Sequence, residues 1–194
     1  MPTTKNNDVR LLHIPPPEML RVIGEITIYW SRATMQMDDA IARLLDIDRE
    51  KAYALTGAFL FNGKMEMLRV LGKLHFANDA DTLKSFNGIL TRIITCYEQR
   101  NDIEHALWFD FGQSGTLRAK SRKKKYGGKF ESVALTDLQE TAVLIARLVA
   151  DMTKFFSVNI PEATLKNGGT TPAEKLRAIR IDENGRVTPP RSPQ

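Results

Sequence analysis

Apolar residues recur in steps of three and four along most of this chain, a period that confines it to helices burying one face each. In the first helical stretch they are Leu20, Ile23, Ile26, Trp30, Ala33, Met37, Ala40, Ile41, Leu44 and Leu45. Pro15-Pro16-Pro17-Glu18 opens this helix, because proline and an acid are tolerated in a first turn. Asp48 caps a second helix carrying Ala52, Leu55 and Phe59, then Met67, Leu68 and Leu71. Gly57 and the pair Asn62-Gly63 are the places where it would break in two. Asn78-Asp79-Ala80-Asp81 starts a third helix that runs to about Leu107, with Leu83, Phe86, Leu90, Ile94 and Tyr97 on its stripe. Thr136-Asp137-Leu138-Gln139 has the form of a capping box. The helix behind it buries Leu138, Ala142, Ile145, Leu148, Val149, Met152 and Phe156, and ends near Asn159, before Pro161. A mainly α fold follows, a bundle of four main helices.

The texture changes before the last helix. Trp108-Phe109-Asp110-Phe111 is short and aromatic, and Gly112-Gln113-Ser114-Gly115 and Tyr126-Gly127-Gly128 are turn signals. The weakly alternating Thr116–Arg122 and the run Phe130–Val133 complete a small β-hairpin or meander, inserted over roughly residues 108–134. Residues 1–17 read as a flexible lead and 18–159 as one helical domain. Gly168-Gly169, Pro172, Pro189-Pro190 and Pro193 make 160–194 a disordered tail, with one short helix over Pro172–Ile181.

Net charge is +5, but seven basic residues and no acids lie between 118 and 129: Arg118, Lys120, Arg122, Lys123, Lys124, Lys125 and Lys129. Without them 21 basic residues face 23 acids, a balance of −2, so the positive charge is local. Such a cluster attracts polyanions and could hold an RNA backbone, and Tyr126 and Phe130 beside it add rings on which bases could stack. The same charges also fit a solvated loop that keeps an edge strand from aggregating. The single cysteine, Cys96, sits in the apolar run Ile93-Ile94-Thr95-Cys96-Tyr97 and reads as core in a reducing compartment. No segment resembles a signal peptide or a membrane span, so a soluble cytoplasmic protein without membrane partners is expected. One cysteine and scattered histidines (His13, His75, His105) give no zinc spacing, and no phosphate-loop glycine pattern occurs. No cofactor or metal is expected.

The chemistry-bearing motif is Arg100-Asn101-Asp102-Ile103-Glu104-His105. Steps of four from Tyr97 reach Asn101 and His105, which places an amide and an imidazole where the stripe should be apolar. Arg100 and Glu104, four apart, form a neighbouring charged strip. A neutral imidazole can take the proton from a ribose 2′-hydroxyl or return one to the leaving 5′-oxygen. A guanidinium can neutralise the charge that builds on phosphorus, and Asn101 can orient His105 or bind a phosphate oxygen. The same residues also fit an internal hydrogen-bond network closed by Glu104 or Asp38, and Asp38 or Asp39 could pair with Arg100 or equally form an exposed acidic pair. A second arginine–histidine pair, Arg69 and His75, has Val70 after the arginine and reads as surface charge with a helix-end histidine.

On this motif, late in a long central helix, the chain resembles the HEPN superfamily. The likeness extends to the first helix from Trp30-Ser31 and to the second, over about residues 18–158. It implies a helical bundle that dimerises so that two copies of the motif face each other. It also implies a metal-independent endoribonuclease of a toxin, defence or phage-related system, with Arg100 and His105 catalytic, Asn101 auxiliary, and an antitoxin or regulatory protein as partner. In the branch whose antitoxin is a nucleotidyltransferase, a tyrosine often stands two residues after the histidine. Leu107 stands there in this chain, which speaks against that mode of control. Two other readings use the same residues. One is a non-catalytic helical interaction module, and the other is an RNA-binding protein working through the basic hairpin.

Overall fold

A computed structural model describes residues 14–110, 116–120, 129–160, 180–181 and 187–188. The chain is mainly helical: α1 (Pro17–Leu45), α2 (Arg49–Thr56), α3 (Phe61–His75), α4 (Ala80–Glu104) and α5 (Leu135–Asn159). The second expected helix is therefore two. Gly57 closes α2 by donating its N–H to Tyr53 O, and the extended backbone of Leu60 starts α3. The break thus falls upstream of Asn62-Gly63, which lie inside α3.

Caps explain most of the helix limits. Asp48 accepts the Lys51 amide and Asp79 that of Thr82, at 2.8 and 3.0 Å, each satisfying a donor with no partner in the first turn. The Lys51 ammonium, and after it the Lys51 amide, holds the Asp48 carboxyl below its ordinary range, and the Thr82 amide does the same for Asp79. The start of α5 differs from the capping box expected at Thr136. The helix begins at Leu135, and Asp137 reaches back to accept the Ala134 amide at 3.0 Å. This is the return half of a capping box, displaced by two residues. At the end of α1, Asp46 takes φ 60°, and its amide bonds Arg43 O while that of Ile47 bonds Ala42 O. These are the paired bonds of a Schellman stop, with aspartate where glycine is usual.

Three strands, β1 (Leu107–Asp110), β2 (Thr116–Lys120) and β3 (Lys129–Ser132), pair antiparallel in that order. Leu107 faces Ala119 and Asp110 faces Thr116 across one ladder, and Leu117 faces Ser132 across the other. Lys120 and Lys129 are register partners. Because Leu107 begins β1, α4 stops at Glu104, short of the expected end. Two strands in the tail, β4 (Arg180–Ile181) and β5 (Val187–Thr188), also pair antiparallel, and β5 contacts α3. Arg180 and Ile181 thus do not end a helix, and the rest of the Pro172–Ile181 segment lies outside the described residues.

The chain forms two compact units, Met1–Trp30 with Thr95–Ala146, and Ser31–Ile94 with Arg147–Gln194. The first buries Met19, Val22, Ile26, Trp30, Cys96, Ile103, Val133, Leu138, Ala142 and Ile145. Leu20, expected on the α1 stripe, is exposed, and Met19 and Val22 take its place. The second unit centres on four rings. Phe76 and Phe86 lie 5.5 Å apart, and Phe155 and Phe156 lie 6.0 Å from each other, with Phe86 within 6.4 Å of both. Gly72 on α3 lets this cluster close. A Cβ there would overlap the Phe86 ring, with Cδ1 at 2.7 Å and Cζ at 2.9 Å. A largely buried ion pair adds to the unit: Lys64 Nζ sits 2.8 and 2.9 Å from the two carboxylate oxygens of Asp38.

Candidate functional site

The buried line of α4 runs through Phe86, Ile89, Leu90, Ile93, Cys96 and Ile103. Its phase corrects the expected stripe, which ran through Ile94 and Tyr97 to Asn101 and His105. Each step of four overshoots a full turn by about 40°, so two such steps carry His105 about 80° round from Tyr97. Seven residues, from Cys96 to Ile103, fall only about 20° short of two turns. In consequence Asn101 is half-buried and His105 is exposed. The ionic residues nearest the buried line are Arg100 and Glu104, whose side chains keep only 22% and 17% of their exposure.

A connected set of groups surrounds Arg100. One guanidinium nitrogen, Nη1, donates to Asn101 Oδ1 at 2.9 Å. Another, Nη2, pairs with Glu104 Oε2 one turn along the helix. From α1, the Thr27 hydroxyl lies 3.0 Å from Glu104 Oε1 and 3.0 Å from Ile23 O. A hydroxyl carries one proton, so it donates to one of these two acceptors at a time. Arg100 Nε is buried and has no hydrogen-bond partner among the described residues. In the same unit, Trp30 and Tyr97 pack with ring centres 5.7 Å apart and planes tilted by 40°.

His105 directly follows α4, and its amide still bonds Asn101 O at 3.1 Å. Arg100 and His105 are separated by about 140° around the helix and about 7.5 Å along it. One copy of the motif therefore presents its guanidinium and imidazole on different faces. Asn101 engages Arg100 through its side chain, and its carbonyl accepts the His105 amide in the last helical bond of α4.

The other expected site residues lie elsewhere. Asp38 is engaged by Lys64, and Asp39 by Arg49 Nε at 2.8 Å with Tyr53 Oη at 3.4 Å. Burial of Tyr53, with the Asp39 carboxylate beside it, pushes its phenol above the ordinary range. The carboxylate that holds Arg100 is Glu104. Arg118 and Lys120 lie on β2 and Lys129 and Phe130 on β3, whereas Arg122, Lys123, Lys124, Lys125 and Tyr126 lie outside the described residues. Cys96 is buried and, as the single cysteine, forms no disulfide within the chain. The second arginine–histidine pair is surface charge as expected: Arg69 pairs with Glu66, and exposed His75 ends α3 against Phe76. A groove of about 290 Å³ between α1 and α5, lined by Arg21, Glu25, Tyr29, Gln139, Ala142, Val143 and Ala146, contains none of the expected site residues. Among the described residues no cluster of His, Cys, Asp and Glu could hold a metal ion, and no helix is long and apolar enough to cross a membrane.

Thr27 was not legible as part of this set. It stands 77 residues from Glu104, and a lone threonine in a helix carries no local signal of a distant partner. No protein-family model, curated protein or solved structure matches the chain.

Proposed function

We propose that this chain is a metal-independent endoribonuclease of HEPN type, working as a homodimer in a toxin, defence or phage-related system. The observation that carries the reading is at the end of α4: an exposed imidazole, His105, follows within five residues a guanidinium whose position is fixed by Asn101 and Glu104. His105 takes the proton from the ribose 2′-hydroxyl. The 2′-oxygen attacks phosphorus, Arg100 offsets the added charge, and the 5′-oxygen leaves with a proton from the partner's copy of the same imidazole. The products are a 2′,3′-cyclic phosphate and a 5′-hydroxyl. The different directions of Arg100 and His105 in one copy favour a site assembled from two. The test is incubation of the purified protein with total RNA in EDTA, beside a His105→Ala control.

A two-fold dimer that brings both Arg100 motifs to one groove is expected by sedimentation equilibrium at micromolar concentration. A strictly monomeric mass together with full RNase activity contradicts the shared site.

RNA would be held by the basic strands and the segment between them. Changing Arg122, Lys123, Lys124 and Lys125 to glutamine should weaken RNA binding and leave turnover of bound RNA almost unchanged, because these residues position the backbone and move no proton. Each lost phosphate contact flattens the slope of log K against log salt by roughly 0.7, so four flatten it by about 3. Superimposable salt titrations of wild type and variant would leave the cluster as a solvated loop.

A non-catalytic helical interaction module is the competing reading. It is favoured by the engagement of Arg100 with Glu104 and Asn101 of its own helix. Cleavage that persists in EDTA and disappears with His105 decides against it.

A further inference from the structure

The Glu104 side chain is an oxyanion held by donors from two helices. Arg100 Nη2 meets one carboxylate oxygen and the Thr27 hydroxyl, from α1, lies 3.0 Å from the other. A phosphodiester offers the same thing, two oxygens sharing one negative charge. Glu104 is the last residue of α4, where the helix dipole disfavours a negative side chain. Its carboxylate is retained there by Arg100 and Thr27, against that field.

The guanidinium is also incompletely used. Its Nε and Nη2 hydrogens form the edge that grips two oxygens of one anion side by side. Glu104 engages Nη2, while Nε is buried with no hydrogen-bond partner among the described residues. Leaving such a donor unsatisfied is costly, and an incoming anion that filled both positions would recover that cost. The Thr27 hydroxyl has an alternative acceptor, Ile23 O at 3.0 Å, so it can turn without losing its hydrogen bond.

The geometry points to an oxyanion-binding site formed by Arg100 and Thr27, occupied at rest by the chain's own Glu104 and taken over by a phosphodiester that displaces it. This rests on the ribonuclease reading for its ligand class, and it assigns Thr27 as a second ligand to the phosphate. Glu104 thereby becomes a competitor that sets how tightly a phosphate must bind to enter. Thr27 and Glu104 belong to one compact unit with Arg100, so each copy of the chain carries a whole anion site.

The test separates anion binding from cleavage. The probe is thymidylyl-(3′→5′)-thymidine, which carries one phosphodiester and lacks the 2′-hydroxyl that cleavage requires. Binding is followed by NMR titration at the Arg100 Nε–H signal or, where Arg100 is replaced, at backbone amides of the α4 end. Glu104→Gln should tighten binding by about tenfold, within the usual range for two coupled ligands. Glu98→Gln, an exposed acid on the same helix, controls for simple loss of negative charge and should change affinity less than twofold. In the Glu104→Gln background, Arg100→Ala and Thr27→Val should each remove the gain, and Thr27→Ser should keep it. Equal effects of Glu104→Gln and Glu98→Gln would overturn the proposal, as would a gain that survives Arg100→Ala. A gain that depends on Arg100 and Thr27 upholds the anion site even if RNA is never cleaved, in which case only the nuclease reading falls.

Discussion

His105→Ala is expected to lower RNA cleavage by about 10²–10⁴-fold, the usual contribution of a positioned general acid or base. In a shared site the same substitution removes base and acid together, so the loss belongs at the upper end of that range. The fold should be untouched, because His105 is exposed and the hydrogen bond it makes to Asn101 comes from its backbone. Arg100→Ala should be comparably inactive, and Arg100→Lys should not restore activity, because an ammonium cannot offer two parallel donors to a phosphate. Unlike His105, Arg100 also supports structure, and its loss leaves Glu104 with Thr27 alone among the described residues. Discounted for partial exposure, that ion pair contributes about 1 kcal/mol or less, so Arg100→Ala should melt only slightly earlier than wild type. The measurements are initial rates on a defined RNA in EDTA, end-group analysis for 2′,3′-cyclic phosphate, and melting curves of each variant. Equal rates for His105→Ala and wild type would end the ribonuclease reading.

Gly72→Ala should destabilise the protein by about 3 kcal/mol, although it adds a single methyl group to a helix that otherwise prefers alanine. The added carbon collides with the Phe86 ring, which is fully buried and hemmed in by Phe76, Phe155 and Phe156, so the ring cannot step aside. Phe86→Leu alone opens a gap in the same place and is also destabilising, by about 2 kcal/mol. Combined with Gly72→Ala it should cost less than the sum, because the smaller side chain vacates part of the space the methyl needs. Urea denaturation of the two single variants and the double variant gives the comparison. Simple additivity would show that the two positions do not compete for one volume.

Local features were legible to within a residue or two, as the displaced start of α5 shows, and relational ones were not. Asp48 could be read as a cap, and Asn78–Asp81 as a helix start, because a cap is satisfied within three residues. The break after α2 was visible at Gly57, but the choice between Gly57 and Asn62-Gly63 depended on Leu60, whose extended backbone no propensity marks. The motif at Arg100 was found by residue type and placed on the wrong line of the helix. Tyr97, on which the line was aligned, lies beside the buried stripe and not on it, and steps of four then drift further. The same drift put His105 among buried residues, when an imidazole that exchanges protons with a substrate is better exposed. Asp38 or Asp39, near an apolar stripe, could equally pair with Arg100 or stay exposed; the partner of Asp38 is Lys64, a residue type that composition alone leaves on the surface. Thr27 has meaning only beside Glu104, and that proximity exists only once the chain has folded.

The stop at the end of α1 bears on the order in which the molecule assembles. Asp46 and Ile47 are bonded to carbonyls only three and five residues back, so the reversal between α1 and α2 requires no distant part of the chain. β5, by contrast, reaches α3 only by closing the span from His75 to Val187, and the entropy of that closure delays it. During refolding, the amides of Asp46 and Ile47 should gain protection from deuterium exchange before that of Val187. A left-handed aspartate would then act as an early pivot, setting the direction of α2 while the tail is still searching for its place.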